Sequence, residues 1–349
     1  MKSVNGKKIE WRGKLVLACA AALISLALCE AGARWLYLQE YARRARLFDS
    51  GDMLLIREPD TDYEFSVRRN HQGSNVLSGW TWRLTTNSRG LRGRDVEPAR
   101  KPGTTRILFL GDSVTFGVGV EDDEVFPLLV EKRLNERESP GGRRWETINL
   151  SAPGYNLAQE SALLEEQFDL WNPDLVALTM GPNDAEPQYS VPPHPRHFLR
   201  DERLWFLERV RAAANDILFG GDERYRLRRL QYDVDWLSGW ADGSPKRRRA
   251  RRALSRIAER CRSRGVPFLS MYVNTFDPTL LDDGYARVRS TLAAWAREEG
   301  VPHIDLFERQ AELGFQKLWI NGDAHPNALG HRVIADSWVE AIERELKSE

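Results

Sequence analysis

The chain has 349 residues, 42% of them apolar, which suffices for one large domain with additions or two small ones, each with a real hydrophobic core. Its 51 basic and 51 acidic side chains cancel, so no global field favours nucleic acid or another polyanion as partner. With Cys19 and Cys29 near the N-terminus, Cys261 stands alone in the globular part, which excludes an internal disulfide there and a cysteine-rich metal site.

The chain opens with a basic tail over residues 1–14, in which Lys7, Lys8, Arg12 and Lys14 precede an uncharged, almost wholly apolar run from Leu15 to Cys29. That order is the pattern of an export signal. The run is shorter than the ~20 residues a spanning helix needs, but it continues past Glu30 to Leu38. Ala31-Gly32-Ala33 has the composition of a cleavage site, whereas Trp35 and Tyr37 suit a membrane interface and Glu30 and Arg34, one helical turn apart, can pair. We read residues 15–38 as an uncleaved transmembrane signal-anchor. Because Arg34, Arg43, Arg44 and Arg46 follow the run closely, charge bias does not fix the orientation, and an extracytoplasmic position of the large domain is inferred from export alone. Cys29 follows Leu-Ala-Leu, without the small residue a lipoprotein signal places just before its cysteine, so lipidation is not expected.

Residues 39–104 read as a stalk and lead-in packing on the main domain and ending in Pro98, Pro102 and Gly103. From Thr105 onward, short apolar runs alternate with helical patterns, as in a parallel sheet with crossover helices. The expected strands are Arg106 to Leu110, Thr147 to Leu150, Leu175 to Met180, Pro267 to Val273 and His303 to Leu306. A helix opening at Asn156, with Gln159 three residues on, buries Leu163, Leu164, Phe168 and Trp171. An insertion over about 186–245 is Pro-rich and then carries Trp205, Phe206, Trp236 and Trp240, which either line a substrate cleft or pack an inserted helical subdomain. The run from Lys246 to Arg264 sets Leu254, Ile257, Ala258 and Cys261 at helical spacing, an amphipathic helix with a solvated basic face rather than a polyanion-binding patch. Cys261 is then a packed residue, not a nucleophile. The last helix presents Ile334, Trp338, Ile342 and Leu346.

In an open parallel sheet, the loops leaving the carboxyl ends of the strands converge on one edge, and four such segments carry chemistry. Gly111-Asp112-Ser113-Val114-Thr115-Phe116-Gly117 puts a serine hydroxyl and its own N–H near a helix start, though Gly-Asp-Ser is also ordinary turn composition. Ser151-Ala152-Pro153-Gly154-Tyr155-Asn156 offers the bare N–H of Gly154, and Gly181-Pro182-Asn183-Asp184 offers the Asn183 amide or a simple cap. Asn321-Gly322-Asp323-Ala324-His325-Pro326-Asn327 brings a carboxylate close to an imidazole, so Asp323 can orient His325 while His325 takes the Ser113 proton.

The order and context of these segments resemble the four sequence blocks of the SGNH/GDSL hydrolase superfamily, over residues 105 to 345. The resemblance implies a three-layer α/β/α flavodoxin-like fold, which with the strands read above gives a central parallel five-stranded sheet over 105–349, and the apolar N-terminal run places a transmembrane helix ahead of it. It also implies no metal or organic cofactor, Ser113 as nucleophile, His325 as base, and an oxyanion hole from the Ser113 and Gly154 amides with the Asn183 side chain. The family commonly places its Asp three residues before the His, a position held here by Gly322, so the third member falls to Asp323, with Asp305 in reserve. His331, within the last helix, reads as packing or capping, and His194 and His197 lie in the insertion. The expected activity is serine-dependent ester hydrolysis, with an acylated glycan, lipid or small ester as substrate. Acyl transfer by the same residues and a silent glycan-binding protein are the alternatives.

Overall fold

The computed structural model describes residues 3–49, 54–58, 60–77, 80–137, 142–185, 206, 210, 237–275, 282–320, 323 and 325–346. Two compact units result, one of Met1–Ser50 with Pro192–Arg229 and one of Gly51–Val191 with Leu230–Glu349. Most of the 186–245 insertion, with His194, His197, Trp205 and Trp236, lies outside the described residues.

In the smaller unit, helix α1 (Ser3–Asp49) contains a stretch, Gly13–Leu36, long and apolar enough to cross a bilayer. Arg34 Nε donates to Glu30 Oε1 at 2.8 Å, the helical-turn pair that the spacing predicts. Glu30 Oε2 accepts from the Phe206 backbone N–H at 2.9 Å.

The larger unit is built on five parallel strands in the order β6-β5-β7-β8-β9, where β5 is Thr104–Gly111, β6 Arg144–Ser151, β7 Leu175–Met180, β8 Phe268–Tyr272 and β9 His303–Asp305. All five strands expected from the sequence form, with small changes at their ends, and in the fully buried strands β7 and β8 the burial of both faces explains the nearly continuous apolar run. Leu175 to Met180 is buried throughout. On one face, α3 (Phe126–Glu136) and α9 (Ala328–Leu346) share a core in which Ile107 and Phe109 of β5 meet Val130, Leu134, Ile334, Trp338 and Ile342. On the other face, α4 (Leu157–Trp171) packs on α5 (Pro245–Ser263), and α6 (Asp282–Glu299) covers β8 and β9. α4 begins with the predicted capping box, the Asn156 side-chain carbonyl accepting from Ala158 and Gln159 and the Gln159 side chain reaching back to Asn156 N–H. α5 buries Leu254, Ile257, Ala258 and Cys261, and burial pushes the Cys261 thiol up to about 12, which keeps it protonated. Two short helices, α7 (Phe307–Leu313) and α8 (Phe315–Leu318), precede the final loop.

Ahead of the sheet lie two antiparallel pairs: β1 (Leu55–Arg57) with β2 (Phe65–Val67), and β3 (Gln72–Leu77) with β4 (Trp80–Thr85). The segment around the first pair is fastened to α4: Tyr63 Oη donates to Glu166 Oε1 at 3.0 Å, and Gln159 Nε2 donates to the Tyr63 carbonyl at 3.1 Å.

Candidate active site

β5 feeds directly into a tight turn because Gly111, at φ +152°, has no room for a side chain; a Cβ there would stand 2.0 Å from Thr115 Oγ1. Asp112 then caps the short helix α2 (Ser113–Phe116), its Oδ1 accepting the Val114 N–H at 2.9 Å. This arrangement leaves Ser113 as the first residue of α2, at the carboxyl edge of the sheet where the strand order reverses.

The loop before α9 brings the other two groups to it. His325 Nε2 lies 2.9 Å from Ser113 Oγ, and His325 Nδ1 lies 2.5 Å from Asp323 Oδ1. With the imidazole proton on Nδ1, Nε2 is free to accept from the serine hydroxyl, so one tautomer satisfies both contacts. The shorter Asp-x-His spacing works because the same Asp323 Oδ1 also accepts the His325 backbone N–H at 2.9 Å, folding the segment into a local turn that brings the carboxylate back onto the imidazole. The reserve acid is committed elsewhere: Asp305 Oδ2 accepts from Arg289 at 2.7 Å and its Oδ1 from Phe307 N–H at 3.0 Å.

Asn183 follows β7 and is buried, with its Nδ2 donating to Asp112 Oδ2 at 2.6 Å. That contact uses one amide hydrogen and leaves the second for a ligand. Gly154 sits buried in the turn before α4 at φ +87°, a backbone setting that favours glycine. Trp240, from the end of the insertion, is fully buried and donates from Nε1 to the Pro182 carbonyl at 2.6 Å, pinning the turn that carries Asn183.

Sequence reasoning passed over three buried carboxyls here. Burial, then the charge of Asp184, raises Glu160 well above the usual carboxylate range, and burial with the charge of Asp112 does the same to Asp184. Burial also raises Asp112, opposed by the hydrogen bonds from Asn183 and the Val114 N–H and by His325. Asp184 Oδ2 accepts the Gly181 N–H at 2.8 Å, whereas both Glu160 oxygens lack a hydrogen-bond partner among the described residues. An aliphatic periodicity around Glu160 was the available signal: it occupies an inward position of α4 between Leu157 and Leu164. His331 is fully buried on α9, stacked on Phe126 and accepting the Phe126 N–H at Nδ1, and burial holds it down at about 3. A separate cavity of about 100 Å³, lined by Tyr63, Arg89, Tyr155 and Trp171 among others, contains neither Ser113 nor His325.

A three-layer α/β/α domain with a serine, histidine and aspartate hydrogen-bonded at the carboxyl edge of a five-stranded parallel sheet is the architecture of an SGNH-type ester hydrolase. Residues 109–333, more than half of the chain, match the GDSL-like lipase/acylhydrolase family, and the protein belongs to that family of ester-hydrolysing enzymes. Among solved structures, TesA is similar at 17% identity over 67% of this chain and 96% of its own, with a TM-score of 0.43. The psychrotrophic esterase EstA from Pseudoalteromonas sp. shares 14% identity over 70% of this chain and 99% of its own, with a TM-score of 0.45. The lipase/acylhydrolase from Enterococcus faecalis shares 14% over 69% and 96%, with a TM-score of 0.42. No curated protein matches the chain.

Proposed function

We propose that Ser113 is the nucleophile of an acyl-enzyme mechanism, with His325 as its base and Asp323 as the group that orients and stabilises the imidazolium. Ser113 Oγ attacks the ester carbonyl carbon while its proton passes to His325 Nε2. The Ser113 and Gly154 amides and the Asn183 side chain hold the resulting oxyanion. Collapse breaks the ester C–O bond, and the imidazolium returns the proton to the leaving alcohol. Water then enters by the same path in reverse and releases the acid. The observation that carries this reading is the unbroken chain Ser113 Oγ, His325 Nε2, His325 Nδ1, Asp323 Oδ1, at 2.9 and 2.5 Å.

The preferred substrates are O-acetyl or other acyl esters on envelope polysaccharide, glycan or lipid. The span Gly13–Leu36 supports this choice, since a chain anchored through it works beside the cell envelope, and we place the catalytic domain on the extracytoplasmic side because the basic tail ahead of the apolar run has the order of an export signal. Treating the detergent-solubilised full chain with a fluorophosphonate probe and measuring intact mass tests the nucleophile. Wild type should gain one probe mass and Ser113→Ala none, with ester turnover falling on the order of 10⁵-fold or more in the variant. A folded wild type that stays unlabelled and turns over no acetyl ester would sink the assignment. Acetate release from acetylated polysaccharides then tests the substrate class.

A further inference from the structure

We propose that Arg92, which precedes the family-matched segment, is a positioning residue that holds the Ser113 turn and the His325 loop at reacting distance. The proposal rests on the Ser113 reading above. Arg92 follows β4, its backbone bridging to Thr86, and its side chain is fully buried. Each nitrogen of the guanidinium is engaged. Nε donates to Asp122 Oδ1 at 2.9 Å, Nη1 to the carbonyls of Phe116 at 3.2 Å and Gly117, and Nη2 to those of Val120 at 2.5 Å and Arg83 at 3.4 Å. Asp122 is itself fixed, accepting from the Thr85 hydroxyl at 2.6 Å and the Thr85 N–H at 3.0 Å.

Three of the four carbonyls belong to the end of α2 and the loop just after it, so one rigid fork sets the path of the chain that leaves Ser113. A planar five-donor cation does this where a lysine, a single point charge, does not. Burying a guanidinium is costly unless its donors are satisfied, and here they are met by the Asp122 carboxylate and four main-chain carbonyls.

The held loop in turn abuts the other half of the site. Between Gly117 and Val120 lies Gly119, at φ +90°, where a Cβ would stand 2.1 Å from Ile320 Cδ1. Ile320 is tied to the acid–base loop through both its backbone groups: its N–H donates to the His325 carbonyl at 3.0 Å, and its carbonyl accepts the Asp323 N–H at 2.9 Å. The path from Arg92 through the Gly117 and Val120 carbonyls, Gly119 and Ile320 therefore ends at the turn that presents Asp323 and His325 to Ser113. Nothing in the polar lead-in sequence distinguishes Arg92 from its neighbours Arg89 and Arg94.

The full chain in detergent, assayed with p-nitrophenyl acetate, tests this. Arg92→Met keeps the apolar stem and removes every donor; Arg92→Ala leaves a space into which guanidinium ion fits. Both should lower kcat by about 10²-fold, the cost of roughly 1 Å of misplacement, with KM within about threefold of wild type. Guanidinium chloride at non-denaturing concentration should restore about tenfold in Arg92→Ala and nothing in Ser113→Ala, an effect that a general loss of packing does not produce. Gly119→Ala, which leaves Arg92 in place but displaces Ile320, should also lower kcat. A folded Arg92→Met or Gly119→Ala with wild-type kcat overturns the proposal, as does a loss in Arg92→Ala that guanidinium leaves untouched. If wild type itself turns over no ester, the esterase reading falls separately, and hydrogen exchange decides the clamp. Arg92→Met should then speed exchange in peptides covering both 113–120 and 318–327, and a change confined to 113–120 overturns it.

Discussion

Asp323 Oδ1 accepts two hydrogen bonds from His325, one from the ring and one from the backbone, and this explains how an acid only two residues away reaches Nδ1. Replacing it by asparagine, with the amide oxygen in the Oδ1 place, keeps both contacts and the backbone turn but removes the negative charge that stabilises the imidazolium formed when His325 takes the Ser113 proton. Asp323→Asn should therefore lower kcat by about 10³–10⁴-fold with little change in Tm, read by steady-state kinetics and thermal melting. At the same scale, Gly111 and Asp112 show why the block around Ser113 is so constrained: the first has no space for a Cβ, and the second caps α2 with one oxygen while holding Asn183 with the other. Two donors of the proposed oxyanion hole, the Ser113 amide and the Asn183 side chain, are thus located by a single carboxylate.

Among the elements, α9 carries the histidine loop into the core. Trp338 on α9 is fully buried, edge-on to Phe109 of β5 with ring centroids 5.6 Å apart, and its Nε1 donates to Thr179 Oγ1 at 3.2 Å on β7. It therefore joins α9 to the two strands whose ends carry Ser113 and Asn183. Trp338→Ala should cost about 3–5 kcal/mol, from lost burial and the cavity left behind, measured by chemical denaturation. The periodicity Ile334, Trp338, Ile342 made this helix face legible, as continuous apolar runs did the strands, because both patterns are direct consequences of which faces are covered. The connection of β3 and β4 to the Ser113 turn was not legible. Its determinants, Arg92 and Asp122, are charged residues in polar segments, 30 positions apart, and only folding pairs them.

For the whole molecule, the buried carboxyls give stability a definite dependence on pH. Glu160 is raised well above its usual range by burial and by the charge of Asp184, so the folded protein keeps a proton that the unfolded chain gives up near pH 4.5. Above that pH the unfolded state binds fewer protons, and the folded state loses up to about 1.4 kcal/mol per pH unit until the folded group ionises. Glu160→Gln removes this dependence. Its Tm relative to wild type should therefore rise as pH increases above about 5, and a gap that stays constant with rising pH would refute the assignment. His331 acts with the opposite sign: held at about 3 by burial, it takes up a proton on unfolding below about pH 6.5, so its contribution is lost as pH falls toward 3.

Composition, periodicity and local spacing determined the α/β class, the five strands, the capped helix at Asn156 and the four loops at which Ser113, Gly154, Asn183 and His325 stand. These are short-range properties: a strand buried on both faces, a helix start, or a glycine at a turn is written within a few residues. The tertiary structure decided which acid lies against His325, since Asp305 and Asp323 both follow apolar runs and only three-dimensional placement sets one on Arg289 and the other on the imidazole. It also decided that Glu160 and Asp184 are buried near one another and that Arg92 reaches the carbonyls behind Ser113, because long-range electrostatics and satisfied buried donors depend on where distant segments meet.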